Sequence, residues 1–491
     1  MTRQIQILAA AFFILFGALF VNLNYLQVIA AEDLANHPAN KRLLIEEYEI
    51  DRGEILARDR RTVLARSRAT DGELKYLRRY PEGELYAHVS GYHSFVYSRT
   101  ELEQSYNEYL SARASELLPQ RFVDDILGRD REGATVVTTI DPELQQVATD
   151  ALGSFQGGVA AVDPRTGEVL ALVGLPTFDP NRLSSHDGRE VRRAWNQLID
   201  DPDKPMLSNA NDEVFPPGST FKVVTAAAAL ENGFGPESTW DNPPSLDLPQ
   251  TTNNLDNFGG SHCLGGASQI TLAQALQVSC NVTFGQVGLA VGAEALMEQA
   301  RRFGFSEDVP FDIPFAEGQV PEPSAFDQDL PGLAFSAIGQ QDVRTNPLHM
   351  ALVAGSIGNG GVMMRPRLVM EIRDPSGRVI ERFDPEVYGT PLSGGNARAL
   401  TQMMVSVVSS GTATGAQIPG VSVAGKTGTA QTAEGQPPHA WFIAFAPAEQ
   451  PSVAVAVVVL GRGNLSSEAT GGAIAAPIAK AVMEAALEEG S

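Results

Sequence analysis

The longest apolar stretch comes first in the chain. No charged residue occurs between Gln4 and Ala31, and Ile5 to Val21 is almost wholly apolar. That length suffices to cross a bilayer, which takes ~20 apolar residues. Arg3 precedes the stretch, and Glu32 and Asp33 follow it. The pattern predicts one anchor with a cytoplasmic tip and everything after it outside the membrane. A cleaved signal peptide is the alternative, because Val28-Ile29-Ala30 resembles a cleavage site. The uncharged stretch is longer than a signal core, which favours the anchor. No comparable run follows.

Shorter periodicities take over further on. Asp141 followed by Pro142 predicts a capped helix after a strand end at Thr138. Gly158–Asp163 and Glu168–Val173 read as two strands around the turn Pro164–Gly167. Near the C-terminus, Val421–Lys426, His439–Phe445 and Ser452–Leu460 read as three more strands, with proline and glycine in the gaps. Gly471–Glu489 is alanine-rich with helical apolar spacing, and predicts a closing helix packed on that sheet. Two early strands, three late ones and helices between them predict an α+β fold around a five-stranded antiparallel sheet. The expected organisation is a tip and anchor over 1–31, an N-terminal unit over 32–135 and a larger unit over 136–491.

Composition narrows the function classes. A chain of 491 residues accommodates two or three domains. Its net charge of −23 argues against nucleic acid or an anionic membrane surface as the main partner. The seven histidines show no metal-ligand spacing, so neither metal nor cofactor is expected. Only Cys263 and Cys280 are present; an extracytoplasmic setting permits them to pair, the alternative being two separate buried thiols. A bridge would close a short loop, stabilising by ~3 kcal/mol in the chain-entropy picture.

The candidate chemistry lies at three places. Ser219 and Lys222 stand one helical turn apart, after Pro216, Pro217 and Gly218 and at the head of an apolar helix running to Leu230. A lysine so placed can take the serine proton, and a helix N-terminus offers N–H groups to an oxyanion. Ser279-Cys280-Asn281 and Lys426-Thr427-Gly428-Thr429 are the companions. Taken singly, the lysines would be solvated and Ser279 and Asn281 would be loop hydrogen-bonders. Trp441 reads as core or cleft wall, and Gly411–Gly415 as a turn over the cleft rather than a phosphate loop.

In this order, Ser-x-x-Lys, Ser-x-Asn and Lys-Thr-Gly resemble the penicillin-binding protein transpeptidases and β-lactamases. Asp51-Arg52-Gly53 with the run to Ala65, Tyr80-Pro81, His88–Tyr92 and Thr100–Glu103 resemble the N-terminal motifs of the class B members. One departure is the turn at Asp59–Thr62, which lacks the glycine usual there. The short length is similar to the shorter actinobacterial type.

The resemblance implies a penicillin-recognising serine hydrolase fold behind a non-catalytic dimerisation or pedestal domain. It also implies peptidoglycan D,D-transpeptidation, with β-lactams acylating the same serine. Ser219 is then the nucleophile and Lys222 its base. Ser279 shuttles a proton, and Asn281 binds the substrate amide and steadies Lys222. Lys426, Thr427, Gly428 and Thr429 receive the substrate peptide and its terminal carboxylate. The backbone N–H groups of Ser219 and Thr429 form the oxyanion hole. A polytopic glycosyltransferase of the shape, elongation, division and sporulation group is the implied partner. The competing readings are a non-enzymatic penicillin-binding sensor or scaffold, and a D,D-carboxypeptidase or β-lactamase. No Glu-x-x-Leu-Asn segment lies between Ser279 and Lys426, so a class A deacylating glutamate is absent.

Overall fold

The computed structural model describes residues 2–29, 47–72, 74–128, 130–431, 436–462 and 470–489. The flanking charges Glu32 and Asp33 and the first residues of the 32–135 unit lie outside them.

The helices that matter here are α1 (Thr2–Asn24), α2 (Pro142–Leu152), α3 (Lys222–Glu231), α4 (Asn281–Val291), α5 (Pro347–Gly358), α6 (Gly394–Ser410) and α7 (Ala475–Glu489). The central strands are β1 (Gly157–Val162), β2 (Val169–Leu175), β3 (Ala424–Ala430), β4 (His439–Ala446) and β5 (Val453–Val459). Helix α1 runs on into a π-turn at Tyr25–Ile29, and its apolar side chains are packed against nothing among the described residues, as suits a membrane span. Asp141 caps α2 as expected, its Oδ1 accepting from the N–H groups of Glu143 and Leu144 at 3.0 and 3.2 Å.

The five strands form one antiparallel sheet in the order β3-β4-β5-β1-β2. Helices α2 and α7 pack on one face of it and α5 on the other. Strands β1, β4 and β5 are buried on both faces, which is why they read as continuous apolar runs rather than alternating ones. Two predicted boundaries shift. The closing helix begins at Ala475, not Gly471. The strand expected over Val421–Lys426 instead occupies Ala424–Ala430, because Val421 is turned back onto Ile418 and Ser422 O accepts from Ala448 N.

A second sheet has six strands, in the order Val379–Arg382, Val369–Arg373, Thr135–Thr138, Ile55–Leu56, Val63–Ala69 and Tyr76–Arg79. Its first two strands come from deep in the C-terminal part of the sequence. Residues before Thr138 therefore share a sheet with residues 369–382, and the two units are stitched together twice. Arg60 reaches the buried Glu371 across this seam, and Arg373 and Arg382 meet the same carboxylate from its own side. The glycine-free turn at Asp59–Thr62 closes through Asp59, whose Oδ1 accepts from the N–H groups of Arg61 and Thr62, while Arg60 adopts φ +58°.

The N-terminal motif residues converge in a dry ionic cluster. Glu103, fully buried, accepts from Arg52 Nε and Arg78 Nε at 2.6 Å each and from the Tyr80 hydroxyl at 3.1 Å. Arg52 also donates to Asn107 Oδ1 and Glu103 O, and Arg78 to the Arg52 and Gly53 carbonyls. The Tyr80 hydroxyl accepts from His93 N–H at 2.7 Å. Gly53 permits the crossing, since a Cβ there would stand 1.9 Å from Ala134 O.

Candidate active site

The site lies where α3, the α4 N-terminus and strand β3 meet. Pro216 and Pro217 lead into a tight 3₁₀ turn, Gly218–Phe221, that continues as α3. Gly218 has φ +54°, and a Cβ on it would come within 2.6 Å of Thr429 O. Gly428 plays the same part from the strand side, with Pro217 O 2.8 Å from where its Cβ would be. These two glycines let the nucleophile turn lie directly on β3. Ser219 is half-buried, and its hydroxyl is engaged by no hydrogen bond among the described residues.

Lys222 is wholly buried at the base of the cleft. Its Nζ donates to Ser279 O at 2.8 Å and Asn281 Oδ1 at 2.7 Å, with Ser279 Oγ further off at 3.4 Å. Lys426, equally buried on β3, donates from Nζ to Ser279 Oγ and Thr427 O, both at 2.8 Å. Neither ammonium is paired with a carboxylate among the described residues. Burial drives Lys222 well below the ordinary lysine range, and the neighbouring Lys426 charge adds to the shift. Burial likewise brings Lys426 down to about 7. A neutral Lys222 has two N–H donors, which Ser279 O and Asn281 Oδ1 occupy; its lone pair is left to accept a proton.

Ser279 sits at φ +62°, a left-handed conformation that a non-glycine residue adopts at a cost. Both lysines hold it there from one side. On the other, Cys280 is disulfide-bonded to Cys263, with Cα atoms 6.1 Å apart. Asn281 opens α4 and donates from Nδ2 to Asp256 O at 3.0 Å, which orients its Oδ1 toward Lys222. Replacing both cysteines by serine should lower stability by ~3 kcal/mol and slow covalent labelling of the serine. Calorimetry and labelling kinetics on the double variant check this; unchanged values for both would show that the bridge braces nothing.

The chain thus brings Ser219, Lys222, Ser279, Asn281, Lys426, Thr427, Gly428 and Thr429 to one place. Trp441 is core, fully buried behind Gly428 on the neighbouring strand. The turn at Gly411–Gly415 adds a residue that the sequence reading did not single out: the Thr412 and Thr427 hydroxyls are hydrogen-bonded at 2.6 Å. No local pattern marks Thr412, which reaches the site only because α6 packs beside β3.

The chain is similar to known proteins over its whole length. Residues 157–484 match the family described as the penicillin binding protein transpeptidase domain, and residues 52–136 match the penicillin binding protein A dimerisation domain. The chain is 42% identical over 500 residues to the peptidoglycan D,D-transpeptidase PbpA of Mycolicibacterium smegmatis, covering 100% of both. It is 41% identical to PbpA of Mycobacterium tuberculosis, over 99% of this chain and 98% of that one. Among solved structures, the ceftriaxone acyl-enzyme of M. tuberculosis penicillin-binding protein A superposes with TM-score 0.86 at 41% identity, over 90% of this chain and 100% of that one. Its penicillin G acyl-enzyme gives 0.83 at 42% identity, over 89% and 100%.

Proposed function

Because the chain belongs to the penicillin-binding protein transpeptidase family, we propose that it is a peptidoglycan D,D-transpeptidase that cross-links stem peptides and is acylated by β-lactams. The observation that carries this is the pair of buried lysines meeting at Ser279 beside an uncommitted Ser219 hydroxyl. Ser219 Oγ attacks the carbonyl of the penultimate D-alanine, and its proton passes to the Lys222 amine. Ser279 Oγ, within reach of both lysines, relays a proton to the leaving nitrogen, and D-alanine departs from a Ser219 ester. An acceptor amine then attacks that ester, forms the cross-link and returns the proton along the same path. Thr429 and Ser219 N–H groups face the developing oxyanion, where losing one donor typically costs ~10²–10³ in rate. Lys426, with the Thr427 hydroxyl held by Thr412, meets the substrate carboxylate, and the peptide adds along β3.

A hydrolase would need a base to activate water against the ester. The lifetime of the Ser219 ester after a chase with unlabelled drug distinguishes the two. Release of D-alanine from a pentapeptide substrate, with formation of the dimeric product, tests the assignment; binding of penicillin without any turnover would favour the sensor reading.

The pH profile follows from the two lysines. Acylation should rise from acid as Lys222 loses its proton, at a pH far below the usual ~10.4 of lysine. It should fall above about 7 as Lys426 loses the charge that meets the carboxylate. Stopped-flow acylation by penicillin measures both limbs, and a rate still climbing at pH 10 would rule out the neutral base. We assign the N-terminal tip to the cytoplasm and the rest of the chain to the outside, with 32–135 as pedestal and 136–491 as catalytic unit; the charge order around the apolar stretch supports this orientation. A polytopic glycosyltransferase of the shape, elongation, division and sporulation group is the partner we assign, on family resemblance.

A further inference from the structure

The hairpin Val63–Ala69/Tyr76–Arg79 carries a concentration of positive charge that the chain leaves unanswered. Arg66 and Arg79 are directly opposite each other across its strands, and Arg68 lies two residues from Arg66 on the same face. All three are exposed, and none of their guanidinium groups makes an ion pair or hydrogen bond with the described residues. Like charges directly opposite destabilise a strand pair. The chain carries 59 acidic residues, and most other arginines near this sheet have carboxylate partners, among them Arg52, Arg60, Arg78, Arg373 and Arg382.

These three side chains line a cleft of about 670 Å³ between the hairpin and the catalytic unit. Its far wall is Asp179 and Asn181, and Asn181 is locked to Tyr80 by two hydrogen bonds, accepting from Tyr80 N at 3.1 Å and donating to Tyr80 O at 2.9 Å. The wall therefore needs no ligand to form. Glu54 also lines the cleft, so its three guanidinium groups against two carboxylates leave one net positive charge.

We propose that this cleft binds a free carboxylate of a peptidoglycan stem peptide, outside the catalytic site and on the pedestal side of it. The ligand class rests on the transpeptidase reading above, whereas the site itself does not. Guanidinium forks match carboxylate and phosphate geometry alike. The balance of charge selects between them: one net positive charge suits a single carboxylate, while Glu54 and Asp179 would repel a phosphate polymer. The cleft is open to solvent and roomy enough for the end of a peptide. A stem held here would tether a glycan strand near the catalytic cleft, raising the local concentration of its neighbouring stems.

The test uses the full-length chain in detergent with Ser219 blocked by penicillin, and in parallel as Ser219→Ala. The probe is a soluble disaccharide-pentapeptide, with a C-terminally amidated pentapeptide as control, titrated by calorimetry. Saturable binding is expected to both blocked forms, weakened about tenfold by amidation and by the double variant Arg66→Ala/Arg79→Ala. Arg68→Gln should weaken it less, and penicillin acylation of the arginine variants should be unchanged. Equal binding by wild type and the arginine variants would overturn the proposal, as would tighter binding of polyphosphate than of the stem. Absence of penicillin labelling in the wild type would count against the transpeptidase reading alone, since the Ser219→Ala arm still reads the cleft.

Discussion

Replacing Ser219 by alanine is expected to abolish covalent labelling by a fluorescent penicillin, a loss on the order of 10⁴–10⁶ in acylation rate. The reason is chemical rather than structural. Ser219 is half-buried at the cleft, its hydroxyl is committed to no intramolecular hydrogen bond, and the turn that carries it is fixed by Gly218 against β3. Removing one oxygen there should leave the unfolding temperature unmoved while deleting the only group that bonds to the drug. Lys222→Met should fall almost as far, because nucleophile and base act as a unit and their losses do not add. Gel fluorescence with purified protein reads both variants. A labelled Ser219→Ala band would show that another nucleophile is at work. In the wild type, a band that survives an unlabelled chase supports the transpeptidase, and one that fades within minutes would indicate a hydrolase.

The largest stability effect is expected at Glu103, far from that chemistry. Glu103→Gln keeps the shape but leaves Arg52 and Arg78 buried side by side without their anion. Breaking a buried pair in this way typically costs ~3–5 kcal/mol, a large share of the ~5–15 kcal/mol of a domain. Exchanging the triad for apolar residues of similar size, Arg52→Met/Arg78→Met/Glu103→Leu, should restore much of the loss, because it removes the desolvation cost together with the pairing. Denaturant unfolding of all three proteins decides the matter. A harmless Glu103→Gln would mean that the arginines find other partners.

The same carboxylate sets an acid limit. Burial by itself would raise Glu103, but Arg78 and Arg52 outweigh it and hold the group down at about 2. Its contribution is therefore complete above the ordinary glutamate value of ~4.3 and is lost as pH falls through about 2.

How much of this was legible in the sequence depends on the range of the interactions involved. The α2 cap, the five central strands and the anchor candidate are local: each is encoded in a contiguous run whose period or capping residue decides its form. The three candidate catalytic motifs were legible for a different reason, since serine, lysine, asparagine and glycine at those spacings are what acyl transfer with a lysine base requires. Strand ends were less secure, and β3 began three residues later than expected because Ser422 is held by Ala448 from across a turn.

Only the tertiary structure decided the rest. It joined 369–382 to the N-terminal sheet, a pairing that carries no local signal because its partners lie more than two hundred residues away. It brought Thr412 to Thr427, gathered Arg52, Arg78 and Glu103 into one dry cluster, and left Arg66, Arg68 and Arg79 unanswered beside a cleft. Above all, it buried both lysines of the proposed site. The sequence by itself determined which groups could react; burial and the lack of a carboxylate partner among the described residues, which exist only after folding, lower Lys222 toward the neutral form that the proposed base needs.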